Sequence, residues 1–221
     1  MTCSQCCGIE RQFDGRTARR QLKRYRRKGP DKTTRMLLDA LVDAGVEGTS
    51  FLDVGGGVGA IQHELMRAGA ASGTNVDASP AYLAAAREEA SSRGYADRMK
   101  YVEGDLVGAH AEVGDADLVT LDRVVCCYPD MPALVDASAS KARRAYGLVY
   151  PRDNLFGRLA IRLVNVVQVI RRHPFRAFVH PTEAVEARVS AHGLRMRYHA
   201  HSTVWQVALF IRDANDPATS S

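Results

Sequence analysis

From residue 50 onward, short apolar runs alternate with segments whose apolar residues recur at helical spacing, which is the pattern of βαβ units on a mostly parallel sheet. The runs predict strands over residues 50–54, 73–77, 99–103, 117–121 and 146–150. The 3.6-residue pattern predicts helices over 60–68, 80–93 and 131–144, the second with Ser79 as its N-cap and Pro80 as its first helical residue. Past the fifth strand the alternation changes. Residues 154–172 read as an additional helix and 181–191 as another, after which 194–200 and 204–211 read as two strands able to form a hairpin. The expected fold class is therefore α/β, with a seven-stranded, mostly parallel sheet that closes on an antiparallel C-terminal hairpin.

A chain of 221 residues suits one α/β domain with a substantial core. The pattern divides it into a basic N-terminal helical arm over 1–35, a main domain over 36–212 carrying an insertion at 151–180, and a polar tail over 213–221 that is expected to fray. Between Arg11 and Arg35 there are 11 Lys and Arg against Asp14 and Asp31, a local charge of +9 in a chain of +5, so the rest carries −4. A cationic arm beside a mildly acidic body suits an anionic partner: an acidic small molecule, a nucleic acid or a lipid surface. Nucleic-acid binding is the weaker of these, because only Tyr25 supplies an aromatic amid the charge.

The start has no apolar stretch of the kind that directs secretion, so a cytoplasmic setting with reduced cysteines is expected. The apolar stretch from Leu155 to Ile170 is interrupted by Arg158 and Arg162 and is shorter than the roughly 30 Å core of a bilayer requires, which leaves peripheral membrane contact open but no span. Cys3, Cys6 and Cys7 lie near the start and Cys126 and Cys127 in the middle, without the paired spacing of a zinc ribbon, so no metal ligand is assigned among them and composition leaves their role open.

The chemistry is concentrated at the strand ends. Asp53-Val-Gly-Gly-Gly-Val-Gly59 follows the first strand and opens a helix, so Gly55, Gly57 and Gly59 allow a tight turn whose N–H groups face a ligand. Asp77 closes the second strand, where a carboxylate can accept both hydroxyls of a ribose, with Ala78 beside it. Asp105 and Leu106 follow the third strand and Asp122 the fourth. This acidic series resembles class I S-adenosylmethionine-dependent methyltransferases, which are Rossmann-like. The resemblance implies S-adenosyl-L-methionine as cofactor, with Asp53 toward its ammonium, the glycines along its body, Asp77 on the ribose and Asp105 at the adenine. A cationic sulfonium compound also explains an acidic loop better than a nucleotide phosphate does.

Two further segments, Leu121-Asp-Arg-Val-Val-Cys-Cys-Tyr-Pro-Asp130 and Phe175-Arg-Ala-Phe-Val-His-Pro-Thr-Glu-Ala-Val-Glu-Ala-Arg188, are similar to magnesium-protoporphyrin IX O-methyltransferases, as is Gln12-Phe13-Asp14-Gly15 near the start. The resemblance covers roughly residues 12–212 and places a substrate-side helix at 151–174. Where that family has a Tyr and a His as its suspected acid/base pair, this chain has Gln12 and Cys127. An amide transfers no proton, and a thiol with a pKa of about 8.5 replaces imidazole poorly.

In this fold the segment after the fourth strand borders the transferred methyl group, so Asp122, Cys126, Cys127 and Tyr128 are the candidate acceptor-side residues, with His180 or Tyr128 a candidate base for a hydroxyl acceptor. The helix at 154–172 is a candidate roof for an apolar substrate, and the arm a device for capturing its anionic end. On this reading the arm lies outside the sheet, and removing residues 1–28 leaves cofactor binding nearly intact while lowering turnover. The expected reaction is O-methylation of an anionic, partly apolar small molecule. Alternatives are methylation of a soft metalloid or thiol held by the cysteines, and methylation of RNA gripped by the arm.

Overall fold

A computed structural model describes residues 14–212, so Cys3, Cys6, Cys7, Gln12 and the tail 213–221 lie outside the described residues. Asp14 caps the first helix, α1 (Gly15–Lys28), by accepting the Thr17 N–H at 2.8 Å. The chain breaks at Gly29 and Pro30 and re-enters helix as α2 (Lys32–Asp43). The expected boundary between residues 35 and 36 thus falls inside a helix. Proline, which cannot continue an interior helix, makes the break five residues earlier.

The strands are β1 (Ser50–Val54), β2 (Ser72–Asp77), β3 (Met99–Glu103), β4 (Ala116–Asp122), β5 (Ala142–Pro151), β6 (Leu194–His201) and β7 (Trp205–Arg212). The remaining helices are α3 (Ala60–Arg67), α4 (Pro80–Ser92), α5 (Met131–Ala139), α6 (Leu155–Ile170) and α7 (Thr182–Ser190). They build one seven-stranded sheet in the order β3-β2-β1-β4-β5-β7-β6. The first five strands are parallel neighbours, and β7 runs antiparallel to both β5 and β6. The α/β class, the mostly parallel sheet and the closing hairpin therefore stand as the pattern predicts. Ser79 caps α4, its hydroxyl accepting the Tyr82 N–H at 3.3 Å.

One element departs from its pattern. Helix spacing predicts 131–144, yet α5 ends at Ala139 and β5 begins at Ala142. Ala142 is drawn into register with Ala116 on β4, and the Ala116 N–H donates to the Lys141 carbonyl at 2.9 Å, so strand pairing overrides a run of helix-forming residues.

Each face of the sheet is covered by helices. On one side Leu37, Leu41, Ile61 and Leu65 from α2 and α3 pack against Phe51, Leu118 and Val149. On the other, Leu134, Val135, Val185 and Val189 from α5 and α7 pack against Leu52, Val119 and Leu148. Successive residues of β5 serve opposite cores, Val149 one and Leu148 the other, as the two-residue period of a strand requires. The strand order reverses between β1 and β4, and in open α/β sheets a crevice forms beyond the carboxyl ends at such a point.

Candidate active site

The crevice at that reversal is a cavity of about 440 Å³. Nearly all the residues assigned to the cofactor from sequence line it: Asp53, Gly55 and Gly57 from the first loop, Asp77 and Ala78 after β2, Asp105 and Leu106 after β3, and Asp122 at the end of β4. Gly59 stands one step back as the left-handed N-cap of α3, at φ 81°. Of the acceptor-side candidates, Cys127 and Tyr128 line the crevice; His180 is not among its described lining residues.

The glycine loop is tied to the next strand through Asp77. One carboxylate oxygen accepts the Gly57 N–H at 2.9 Å and the other the Ser79 N–H at 2.8 Å. These bonds favour its charge, yet burial outweighs them and raises the pKa above the usual carboxylate value. Asp53 is only 1% exposed. Its Oδ1 accepts the Thr120 hydroxyl at 2.8 Å, while its Oδ2 is buried with no hydrogen-bond partner among the described residues. Burial raises its pKa to about 7, against the Thr120 bond and with the negative fields of Asp122 and Asp77 adding to the rise. Gly56 belongs to this arrangement: a Cβ there would meet Asp53 Oδ2 at 2.6 Å and the Asn75 amide at 2.8 Å. Nothing local in the chain marks Gly56 for this role; only the folded loop lays it over those two groups.

Asp122 Oδ2 accepts the hydroxyl of Thr34, on α2, at 2.5 Å. Burial raises the Asp122 pKa, opposed by the positive charge of Arg123 and by the Thr34 bond. Asp105 Oδ1 accepts the Val107 N–H at 2.8 Å and the Tyr128 hydroxyl at 3.1 Å, so the candidate adenine residue and a candidate acceptor-side residue are directly joined. These four carboxylates thus converge on a crevice that Asp31, Asp130, Arg24 and Arg123 also line and that no lysine lines among the described residues.

Cys126 and Cys127 place their sulfurs 3.9 Å apart, and each thiol donates to the Arg123 carbonyl. The bond with Cys127, followed by burial, pushes the Cys126 thiol well above its ordinary pKa. Cys127 packs against Ile161, Phe175 and Ala177. Among the described residues there is no group of three or more His, Cys, Asp or Glu able to hold a metal ion. His180 is engaged with backbone: its Nε2 lies 3.0 Å from the Tyr128 carbonyl, to which it donates, and burial lowers its pKa. It therefore braces the 125–128 turn and presents no free basic nitrogen to the crevice on that side.

The arm is where the structure departs furthest from expectation. Gln21, Arg24 and Tyr25 of α1 and Asp31 and Thr34 beyond it line the same crevice as the glycine loop. Ala18, Leu22 and Tyr25 form a buried stripe packed with Val58 and Tyr82, and the Tyr25 hydroxyl donates to Glu64 at 2.8 Å. Arg26 pairs with Glu89 of α4 at 2.6 Å. The arm is thus a wall of this crevice, in place of a detached appendage. The i, i+4, i+7 spacing of those three residues is the sequence signal that marks the docked face. At the α1–α2 elbow, Arg24 and Arg123 both pair with Asp31, and the Arg123 guanidinium lies 5.3 Å from the centre of the Trp205 ring.

Comparison with known proteins agrees with this geometry. Residues 51–144 match the family model of a methyltransferase domain. No curated protein matches the sequence. Among solved structures, the magnesium-protoporphyrin IX methyltransferase of Synechocystis PCC 6803 with bound SAM is similar at a TM-score of 0.69 and 17% identity, over 96% of this chain and 99% of that one. An O-methyltransferase family protein from Burkholderia thailandensis gives a TM-score of 0.67 at 17% identity, over 93% of this chain and 62% of that one. An O-methyltransferase family 2 protein from Planctomyces limnophilus, in complex with apigenin, gives 0.60 at 19%, over 84% and 63%. At such identities the likeness is one of fold. Residues 51–144 thus match a methyltransferase domain, and the seven-stranded sheet around them has the fold of those solved methyltransferases.

Proposed function

We propose that this crevice binds S-adenosylmethionine and that the enzyme methylates an oxygen of an anionic, partly apolar small molecule. The observation that carries the cofactor assignment is the orphaned, buried Oδ2 of Asp53 in a crevice lined by six carboxylates, two arginines and no lysine among the described residues. A phosphate would be repelled there, whereas an ammonium and a sulfonium would neutralise a charge that burial makes costly. Asp53 would face the ammonium, the 55–59 loop the methionine chain, Asp77 the ribose and Asp105 the adenine amine. When bound, the cofactor supplies an electrophilic methyl group.

The acceptor side is defined by Asp122, Cys127 and Tyr128 beside the elbow arginines. Arg24 and Arg123 both pair with Asp31, and Arg123 also pairs with Asp122, so the two guanidiniums stand at the crevice wall where an acidic group of the acceptor would compete for them. A carboxylate acceptor is already nucleophilic at neutral pH, so Thr34, Asp122 and Tyr128 need only orient it and exclude water, and orientation alone is worth several orders of magnitude in rate. With His180 committed to a carbonyl and an amide expected at Gln12, acceptors that need a strong base are disfavoured.

The test is a screen of purified protein with S-adenosylmethionine against porphyrin carboxylates, aromatic acids, phenols, quinones and thiols, reading release of S-adenosylhomocysteine. Turnover confined to carboxylate or acidic phenolic acceptors supports the reading. Turnover confined to thiols, or to RNA, overturns it.

A further inference from the structure

Helix α6 is built inside out. Its side toward the protein carries Gly157, Ile161 and Gln168, while Leu155, Phe156, Leu159, Leu163, Val167 and Ile170 face solvent, Leu155 at 77% and Ile170 at 75% exposure. On a helical projection at 100° per residue the exposed apolar side chains sweep more than half the circumference, with Arg158 and Arg162 on one border. This face is not left over from loose packing. Asn165 clamps the helix to the following segment, its amide donating to the Ala177 carbonyl at 2.7 Å and its oxygen accepting the Ala177 N–H at 2.8 Å. The Phe178 N–H then donates to Cys126 at 2.7 Å, so α6 is held with its apolar face outward.

We propose that α6 is an in-plane anchor that docks the protein onto a bilayer surface of anionic lipids. Between residues 154 and 182 there are five arginines and no Asp or Glu. Arg158 pairs with Asp153, but Arg162, Arg171 and Arg172 have no ion pair among the described residues. An exposed apolar face bordered by arginines is the pairing that interfacial helices use: apolar side chains enter the acyl boundary while guanidinium groups meet lipid phosphates. At about 1.5 Å per residue, 16 residues extend about 24 Å, too short to cross a bilayer core, and no described helix is long and apolar enough to do so. The helix therefore lies along the surface. A second copy of the chain fits this face less well, since two α6 helices meeting about a twofold axis would bring arginines together without an acidic partner. The buried side of the same helix contributes Ile161 to the cluster that holds Cys127, so the anchor adjoins the acceptor end of the crevice.

The test is co-sedimentation of the full chain with vesicles of phosphatidylcholine alone and of phosphatidylcholine with about one third phosphatidylglycerol. The wild-type protein is expected to partition into the anionic vesicles at least about tenfold more strongly and to be released by high salt. Leu159→Glu with Leu163→Glu, both at exposed positions, should lower that partition by about tenfold or more while circular dichroism and Tm stay unchanged. Should that variant misfold, Leu159→Asn with Leu163→Asn carries the same test. Arg171→Glu with Arg172→Glu should weaken binding to anionic vesicles only. Wild-type protein left in the supernatant with anionic vesicles, or apolar-face variants that bind as well as wild type, would overturn the proposal. So would a lipid-free dimer in sedimentation equilibrium that these variants dissociate.

Discussion

The Tyr128 hydroxyl donates to Asp105 Oδ1 at 3.1 Å and so links the turn after β4 to the loop after β3 across the crevice. A bond to a carboxylate contributes roughly 1.5–3 kcal/mol when well sheltered, and less at this partly exposed position. Tyr128→Phe should therefore weaken S-adenosylmethionine binding by about three- to tenfold through a less ordered Asp105, with a larger fall in turnover. Calorimetry and steady-state kinetics on one preparation check this, and unchanged values in both would show that the link is idle.

Asp77 has two tasks, accepting the Gly57 and Ser79 N–H groups and, as proposed, the ribose hydroxyls. Asp77→Ala should raise the cofactor Kd by more than about a hundredfold and lower Tm. Asp77→Asn keeps an acceptor but loses the charge, and should fall between the two. A properly folded Asp77→Ala protein with wild-type affinity in calorimetry would displace the ribose from this residue.

Asp53 gives a pH signature. Its folded pKa of about 7 lies above the ordinary 3.8, so the folded state holds a proton that the unfolded chain has released. Its contribution to stability is complete below pH about 4 and is lost as pH rises toward about 7, with no further change above. Asp53→Asn should flatten that descent in a Tm-against-pH series. A bound ammonium would lower the Asp53 pKa, so cofactor binding near pH 6 should release a proton. The proton shows as a dependence of the calorimetric enthalpy on the ionisation enthalpy of the buffer; no such dependence would separate Asp53 from the ammonium.

The arm prediction changes with the structure. Sequence reasoning expects cofactor binding to survive removal of residues 1–28, but Gln21, Arg24 and Tyr25 line the crevice and Tyr25 and Leu22 bury against the loop and α4. Deleting 1–28 should raise the cofactor Kd by about tenfold or more and depress turnover together with it. A truncated protein with wild-type affinity and low turnover would restore the separate substrate role.

Cys127 packs against Ile161 and Phe175 and donates to a carbonyl, which is the behaviour of a small apolar residue. Cys127→Ser should cost roughly 1 kcal/mol in unfolding and leave turnover within about fivefold. A collapse of turnover would identify a working thiolate. For the same residue, in place of an imidazole, magnesium-protoporphyrin methylation should be slow, below about 10⁴ M⁻¹s⁻¹ in kcat/KM, and an efficient reaction would show the substitution to be neutral.

The order of residues along the chain was enough to assign the groups attached to strand ends. Asp53, Asp77, Asp105 and Asp122 end or closely follow strands whose apolar runs are visible, and a parallel sheet delivers every such end to one edge, so their convergence follows from covalent connectivity. Tertiary structure alone decided which face each peripheral helix turns inward. The basic arm reads as a solvated appendage until Tyr25 finds Glu64 and Arg26 finds Glu89, partners 39 and 63 residues away that no local pattern joins. In α6 the apolar residues read as the underside of a roof over a substrate, yet most of them face solvent while Gly157 and Gln168 are buried. A Cβ at Gly157 would collide with the Arg152 carbonyl, and Asn165 bonds twice to Ala177. Periodicity shows that a helix has an apolar side; only contacts between residues far apart in the chain set where that side points.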